Sequence, residues 1–296
     1  MAAAFRVEHE PRLIEAAVLA AVRGGPEERA FLRERDRVYE IADVEAREGA
    51  FGALHARWFE RLALDGPFRV ALAERPEIAA GCDRCLVVHA VVERDESADL
   101  RVAGDALPTL LVCVRAETVS RPARLLDLLR HELLHVADML DPRFGYAPTV
   151  GGADLSPVHE RLLRDRYRVL WDAYVDGRLA RLGHVPLAAR VERLQDFARA
   201  FPRLGARTEG AFRRFFDAPA CTHRDLAGFA ERPDDASPAG RCPLCGLPTP
   251  ALEPGAVGLA AVVLTAIESD FASWRPADGV CSRCAELYQQ RVVASP

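Results

Sequence analysis

The stretch Leu128-Leu129-Arg130-His131-Glu132-Leu133-Leu134-His135-Val136-Ala137-Asp138 constrains this chain more than any other. It sets His-Glu-x-x-His inside an apolar, helix-forming run. On a helix, residues four apart share a face, one turn above the other, so His131 and His135 can aim two imidazoles at one point. Glu132 stands roughly 100° round the wheel and can reach a water held at that point. Leu129, Leu133, Leu134, Val136 and Ala137 are uncharged, so the helix is expected to be buried. A buried helix does not turn two imidazoles and a carboxylate inward without partners for them. Zinc is a partner that fits, because a catalytic zinc takes three protein ligands and keeps a fourth position open. The plainer alternative is a structural helix whose histidines hydrogen-bond locally.

On these residues the chain resembles the zincin metallopeptidases. The likeness covers His131-Glu132-Leu133-Leu134-His135, its uncharged neighbours and a strand-then-helix context, a small part of the 296 residues. It implies a zinc-dependent hydrolase of peptide bonds. Glu132 would take a proton from the attacking water and later give it to the leaving amine. It also implies a third, acidic ligand downstream, as in the gluzincins, with Asp here where those families often use Glu. A sheet edge beside the metal helix would pair with extended substrate backbone. The run Thr109-Leu110-Leu111-Val112-Cys113-Val114 is the expected edge.

The third ligand is sought in the helical segment opened by Ser156-Pro157, which carries Glu160, Asp165, Asp172 and Asp176. Asp172 and Asp176 are four apart and share a face, so one can bind metal while the other orients a ligand histidine. Asp176, between Val175 and Gly177, is the expected ligand, with Asp172 and Glu160 behind it. The bland reading of Asp176 is a surface aspartate paired with Arg178 or Arg181. A donor for an oxyanion is open among Tyr167, Tyr174, His159, His184 and Arg178.

Length and composition suit this reading without selecting it. Half the residues are hydrophobic and the net charge is −5, with arginine as the only strong base, since lysine is absent. No basic surface for nucleic acid is expected. The first residues lack a basic region followed by an apolar core, and no apolar run is long enough to span a membrane. A cytoplasmic protein is therefore expected, and cysteine pairs in that setting read as metal sites before disulfides.

Three Cys-x-x-Cys pairs occur. Cys82-Asp83-Arg84-Cys85 precedes a strand rather than a helix, so a low thiol pKa is not expected there. With Cys113 and Cys221 it reads as incidental or weakly metal-binding. Cys242-Pro243-Leu244-Cys245-Gly246 is a knuckle, and Cys281-Ser282-Arg283-Cys284 opens a helix. Together they resemble a treble-clef zinc finger, a structural zinc site of four thiolates. A module this small depends on its metal for stability and offers a surface to a protein partner.

The expected fold class is α+β: a helix-rich, zincin-like catalytic core with a small mixed sheet over 1–232, a linker over 233–240 rich in Pro, Asp and Ala, and a treble-clef-like four-cysteine zinc module over 241–296. Residues 1 to about 63 read as helical, with one run from Glu27 into Arg47. Two zinc ions are expected, one catalytic on His131, His135 and Asp176 with Glu132 as base, and one structural on Cys242, Cys245, Cys281 and Cys284. The substrate would be a peptide or protein. The rival is a non-catalytic zinc-binding interaction protein, against which Glu132 stands, since a structural site has no use for a base beside its histidines.

Overall fold

The computed structural model describes residues 5–102, 104, 106–151, 156–233, 242–247 and 259–293. Strand β1 (Arg6–His9) comes first, followed by helices α1 (Pro11–Val22), α2 (Glu28–Tyr39), α3 (Val44–Arg61), α4 (Gly66–Ala73) and α5 (Pro76–Gly81). Two sequence expectations are corrected here. Arg6–His9 is not helical but pairs in parallel with Arg84–Val87. The helical run expected from Glu27 into Arg47 breaks before Asp43, whose Oδ1 accepts the Ala46 N–H at 2.7 Å and so caps a new helix, α3.

Strands β2 (Arg84–His89), β3 (Ser97–Arg101) and β4 (Thr109–Val114) complete a mixed sheet in the order β1-β2-β4-β3. The first three positions run parallel, and β3 is antiparallel to β4. Leu110, Val112 and Val114 of β4 point into the core. The expectation that β4 forms the open edge is therefore corrected: β4 lies between two strands, and β3 holds the edge. Ser97-Ala98-Asp99-Leu100-Arg101 has no β-branched residue, a composition that edge strands tolerate and central strands do not.

Helices α6 (Ala116–Val119) and α7 (Pro122–Leu140) follow the sheet. Pro122 sits in the first turn of α7, where a missing N–H costs nothing. Leu125, Leu128, Leu129, Leu133 and Val136 pack into a core built with the sheet and α1–α5. Leu134 faces the other way, into a second core made mainly by α8 (Pro157–Arg181), α9 (Arg190–Ala200), α10 (Thr208–Phe216) and α11 (His223–Glu231). Helix α7 is thus a wall shared by two cores. Each fully buried leucine on it contributes roughly 1.5–3 kcal/mol, which offsets the cost of holding polar groups on the same helix. Ser156 Oγ accepts the His159 N–H at 3.3 Å and starts α8.

The expected four-cysteine segment has its own small cores. One gathers Cys242, Val280, Cys281, Cys284 and Ala285, and the other Val263, Ile267 and Trp274. Helices α12 (Ala261–Asp270) and α13 (Ser282–Val293) are tied by Asp270, which accepts from Tyr288 Oη at 2.7 Å and from Arg291. The linker expected over 233–240 lies outside the described residues apart from Pro233. The chain's three tryptophans are shared out, with Trp58 in the first core, Trp171 in the second and Trp274 in the C-terminal segment. Among the described residues no helix is long and apolar enough to cross a membrane.

Candidate metal centre

Helical spacing brings His131 and His135 together on α7 as their four-residue separation requires. Their Nε2 atoms lie 3.2 Å apart. Asp172 arrives from α8, its Oδ1 3.3 Å from His135 Nε2 and 3.6 Å from His131 Nε2. These three ligand atoms form a tight group that could hold a metal ion. Both histidines are buried, and Asp172 is largely so.

Asp176 is not in that group, and its expected role as third ligand is corrected. It lies one turn further along α8, fully buried, with Oδ1 2.8 Å from His131 Nδ1. It therefore touches the back of the imidazole, and Asp172 meets the front. The alternative of a surface Asp176 paired with Arg178 or Arg181 fails too. Arg178 grips both oxygens of Asp138 at 2.8 and 2.7 Å, and Arg181 donates to the carbonyls of Phe216 and Ala218, each at 2.6 Å. Asp176 is instead satisfied by the backbone N–H groups of Leu187 (3.1 Å) and Ala188 (3.4 Å) and by Arg193 Nε at 2.5 Å. Arg193, on α9, also reaches Asp172 Oδ2 through Nη1 at 3.2 Å. Nothing in the sequence marked Arg193, because it stands among many arginines in a helical run.

This packing sets the charge balance. Burial works against a charged His131, but hydrogen bonds to Asp172 and Asp176 outweigh it and raise the imidazole to about 9. Burial likewise opposes ionisation of Asp172 and Asp176. His131 and His135 for Asp172, and His131 with Arg193 for Asp176, more than reverse this and hold both carboxyls below the usual range.

Glu132 faces a cavity of about 320 Å³ lined by His135, Tyr146, Tyr167, Trp171 and Asp172 among others. Its Oε2 accepts the Ala98 N–H of edge strand β3 at 3.0 Å. Because Ala98 turns its N–H away from β4, its C=O points to the open edge as well. Trp171 floors the cavity, its ring 4.5 Å from that of His135 and its Nε1 donating to Asp138 at 2.8 Å. Of the oxyanion donors proposed from sequence, only Tyr167 lines this cavity, and its hydroxyl pairs with His223 Nδ1 at 2.8 Å. Tyr174 accepts from the Cys221 N–H. Tyr146, which sequence reasoning missed, stacks on Trp171 at the cavity wall.

Compared against protein families, curated proteins and solved structures, this chain matches none of them.

The second group that could hold a metal ion is Cys242, Cys245, Cys281 and Cys284. Cys242 and Cys284 sulfurs are 3.9 Å apart, as are those of Cys245 and Cys281. The knuckle turn is closed by the Gly246 N–H donating to the Cys242 carbonyl at 2.8 Å, with Gly246 at φ +69°. The remaining cysteines join neither group. Burial pushes the Cys82 thiol up to about 11 and those of Cys85 and Cys221 up to about 12, so they are poor nucleophiles and poor metal ligands.

Proposed function

We propose that this chain is a zinc-dependent hydrolase of peptide bonds, built in the manner of the zincins. The carrying observation is the mutual spacing of His131 Nε2, His135 Nε2 and Asp172 Oδ1, 3.2 to 3.6 Å. Tetrahedral bonds of about 2.0–2.1 Å set ligand atoms about 3.3–3.4 Å apart, so this donor set fits a zinc ion with a fourth position left over. The thiolate group is compatible too: bonds of about 2.3 Å to sulfur place the sulfurs about 3.8 Å apart, against 3.9 Å for the Cys242–Cys284 and Cys245–Cys281 pairs.

Zinc, when bound, supplies Lewis acidity toward a scissile carbonyl and lowers the pKa of water. The chain's own residues do the rest. Glu132 is held by the Ala98 N–H through one oxygen, which leaves the other to accept a proton and return it to the departing amine. The open edge of β3 offers the Ala98 carbonyl to an extended peptide lying in the cavity. Tyr146 stands at the cavity wall as a hydroxyl donor for developing negative charge. Asp176 fixes the tautomer of His131 by receiving its Nδ1–H.

A second reading, a metal-binding protein without turnover, draws on one observation: Glu132 already has a structural partner in Ala98. Two measurements separate the readings. Elemental analysis of the wild type beside a His131→Ala/His135→Ala variant should show a loss of about one zinc per chain with the thiolate-bound metal kept; equal metal in both removes the hydrolase reading. Glu132→Gln should then keep its metal and fold and lose hydrolysis of a mixed peptide library. A variant as active as the wild type would take Glu132 out of the chemistry.

A further inference from the structure

A carboxylate offers a metal either one oxygen or two. If Asp172 gave two, its second oxygen would fill the position that substrate or water needs. Oδ1 of Asp172 faces the two Nε2 atoms. Oδ2 is instead held by Nη1 of Arg193, at 3.2 Å. The guanidinium is itself fixed, because its Nε is bonded to Asp176 Oδ2. Asp176 is anchored in turn by the Leu187 and Ala188 N–H groups and by His131. A planar fork holding two carboxylates at once has little freedom, which an ammonium on a flexible stem would not match.

We propose that Arg193 is a positioning residue that keeps Asp172 a one-oxygen ligand and so keeps the metal's fourth position open. This rests on the reading of His131, His135 and Asp172 as a metal site. Arg193 touches no reacting atom and acts through Asp172. The same grip neutralises Asp176, so the two buried carboxylates do not present the metal with their full combined charge. The pairing also explains why an arginine from α9, a helix that contributes nothing to the cavity wall, is largely covered at this point.

Cobalt(II) reports the difference without any need for turnover, because four-coordinate cobalt absorbs visible light far more strongly than five-coordinate cobalt. The full chain is loaded with cobalt, and each spectrum is taken as the difference from the His131→Ala/His135→Ala variant, which removes the contribution of the thiolate site. The wild type should give an intense four-coordinate band. Arg193→Lys keeps the positive charge but grips only one carboxylate. Its band should fall at least about twofold as Asp172 closes on the metal through both oxygens. A folded Arg193→Lys protein with the wild-type band would overturn the proposal and leave the metal site standing. A wild type with no difference band would remove the metal site itself. Should Arg193→Lys fail to fold, a crystal structure of the metal-loaded wild type decides. Asp172 Oδ2 bonded to Arg193 and away from the metal supports the proposal, and Oδ2 bonded to the metal overturns it.

Discussion

A Cβ built on Gly177 would stand 1.8 Å from the carbonyl oxygen of Phe216. Helices α8 and α10 therefore come backbone to backbone at Gly177, next to Asp176. Phe216 and Asp176's neighbours Tyr174 and Val175 belong to the same second core. Gly177→Ala must push α10 away and should cost roughly 1–3 kcal/mol or more. Thermal denaturation should show the loss, and metal content should fall with it because Asp176 is the adjacent residue. A variant of wild-type stability would mean that α10 does not close on Gly177.

Asp172 and Asp176 should respond differently to removal of charge. Asp172→Ala should abolish metal binding at the histidine site. Asp176→Asn should weaken it by about ten- to a hundredfold, since it acts through the back of His131. Competition with a chromophoric chelator measures both. Equal losses would make the two carboxylates interchangeable and would remove the front-and-back arrangement.

Metal uptake should depend on pH with a definite sign. His131 is raised to about 9 in the metal-free chain, so it carries a proton at neutral pH that the metal must displace. Affinity at this site should climb by about tenfold per pH unit up to about 9 and then level off. Stability of the metal-free fold runs the opposite way. The contribution of protonated His131 is full below the unfolded value of about 6.5 and is lost as pH rises through about 9. Chelator competition and thermal melts across that range test the two slopes.

On the proposed hydrolase reading, Tyr146→Phe should lower the rate of peptide hydrolysis by about a hundredfold with little change in stability, because its ring stays stacked on Trp171 while its hydroxyl is lost. Tyr167→Phe should cost less activity, since that hydroxyl is committed to His223. The reverse ranking would move the oxyanion donor to Tyr167.

The pairing of His131 and His135 on α7 was legible in the sequence because the two histidines stand four residues apart and the helix repeats every 3.6. The two cysteine pairs were legible for a similar reason, as a Cys-x-x-Cys spacing fits one knuckle turn for Cys242 and Cys245 and the first turn of a helix for Cys281 and Cys284. The choice between Asp172 and Asp176 was not. Both lie on one face of α8, and which meets the front of His131 depends on the height at which α8 crosses α7, a property of packing. The apolar neighbours of Asp176 correctly signalled burial, but burial suits a residue behind the ligand as well as the ligand. Strand β3 escaped notice because edge strands do not need the β-branched residues by which interior strands are found. Tyr146 escaped because it lies in a loop just after Gly145, at φ +67°, where no periodicity exists to read.

The distribution of tryptophans gives each packing unit its own optical label. Trp58 reports on the sheet side, Trp274 on the cysteine segment, and Trp171, with its ring edge-on to His135, on the cavity. Fluorescence from variants that keep one indole each can time the loss of each unit separately under chelator or heat. Emission from Trp171 should respond to an ion entering beside His135 before any backbone moves.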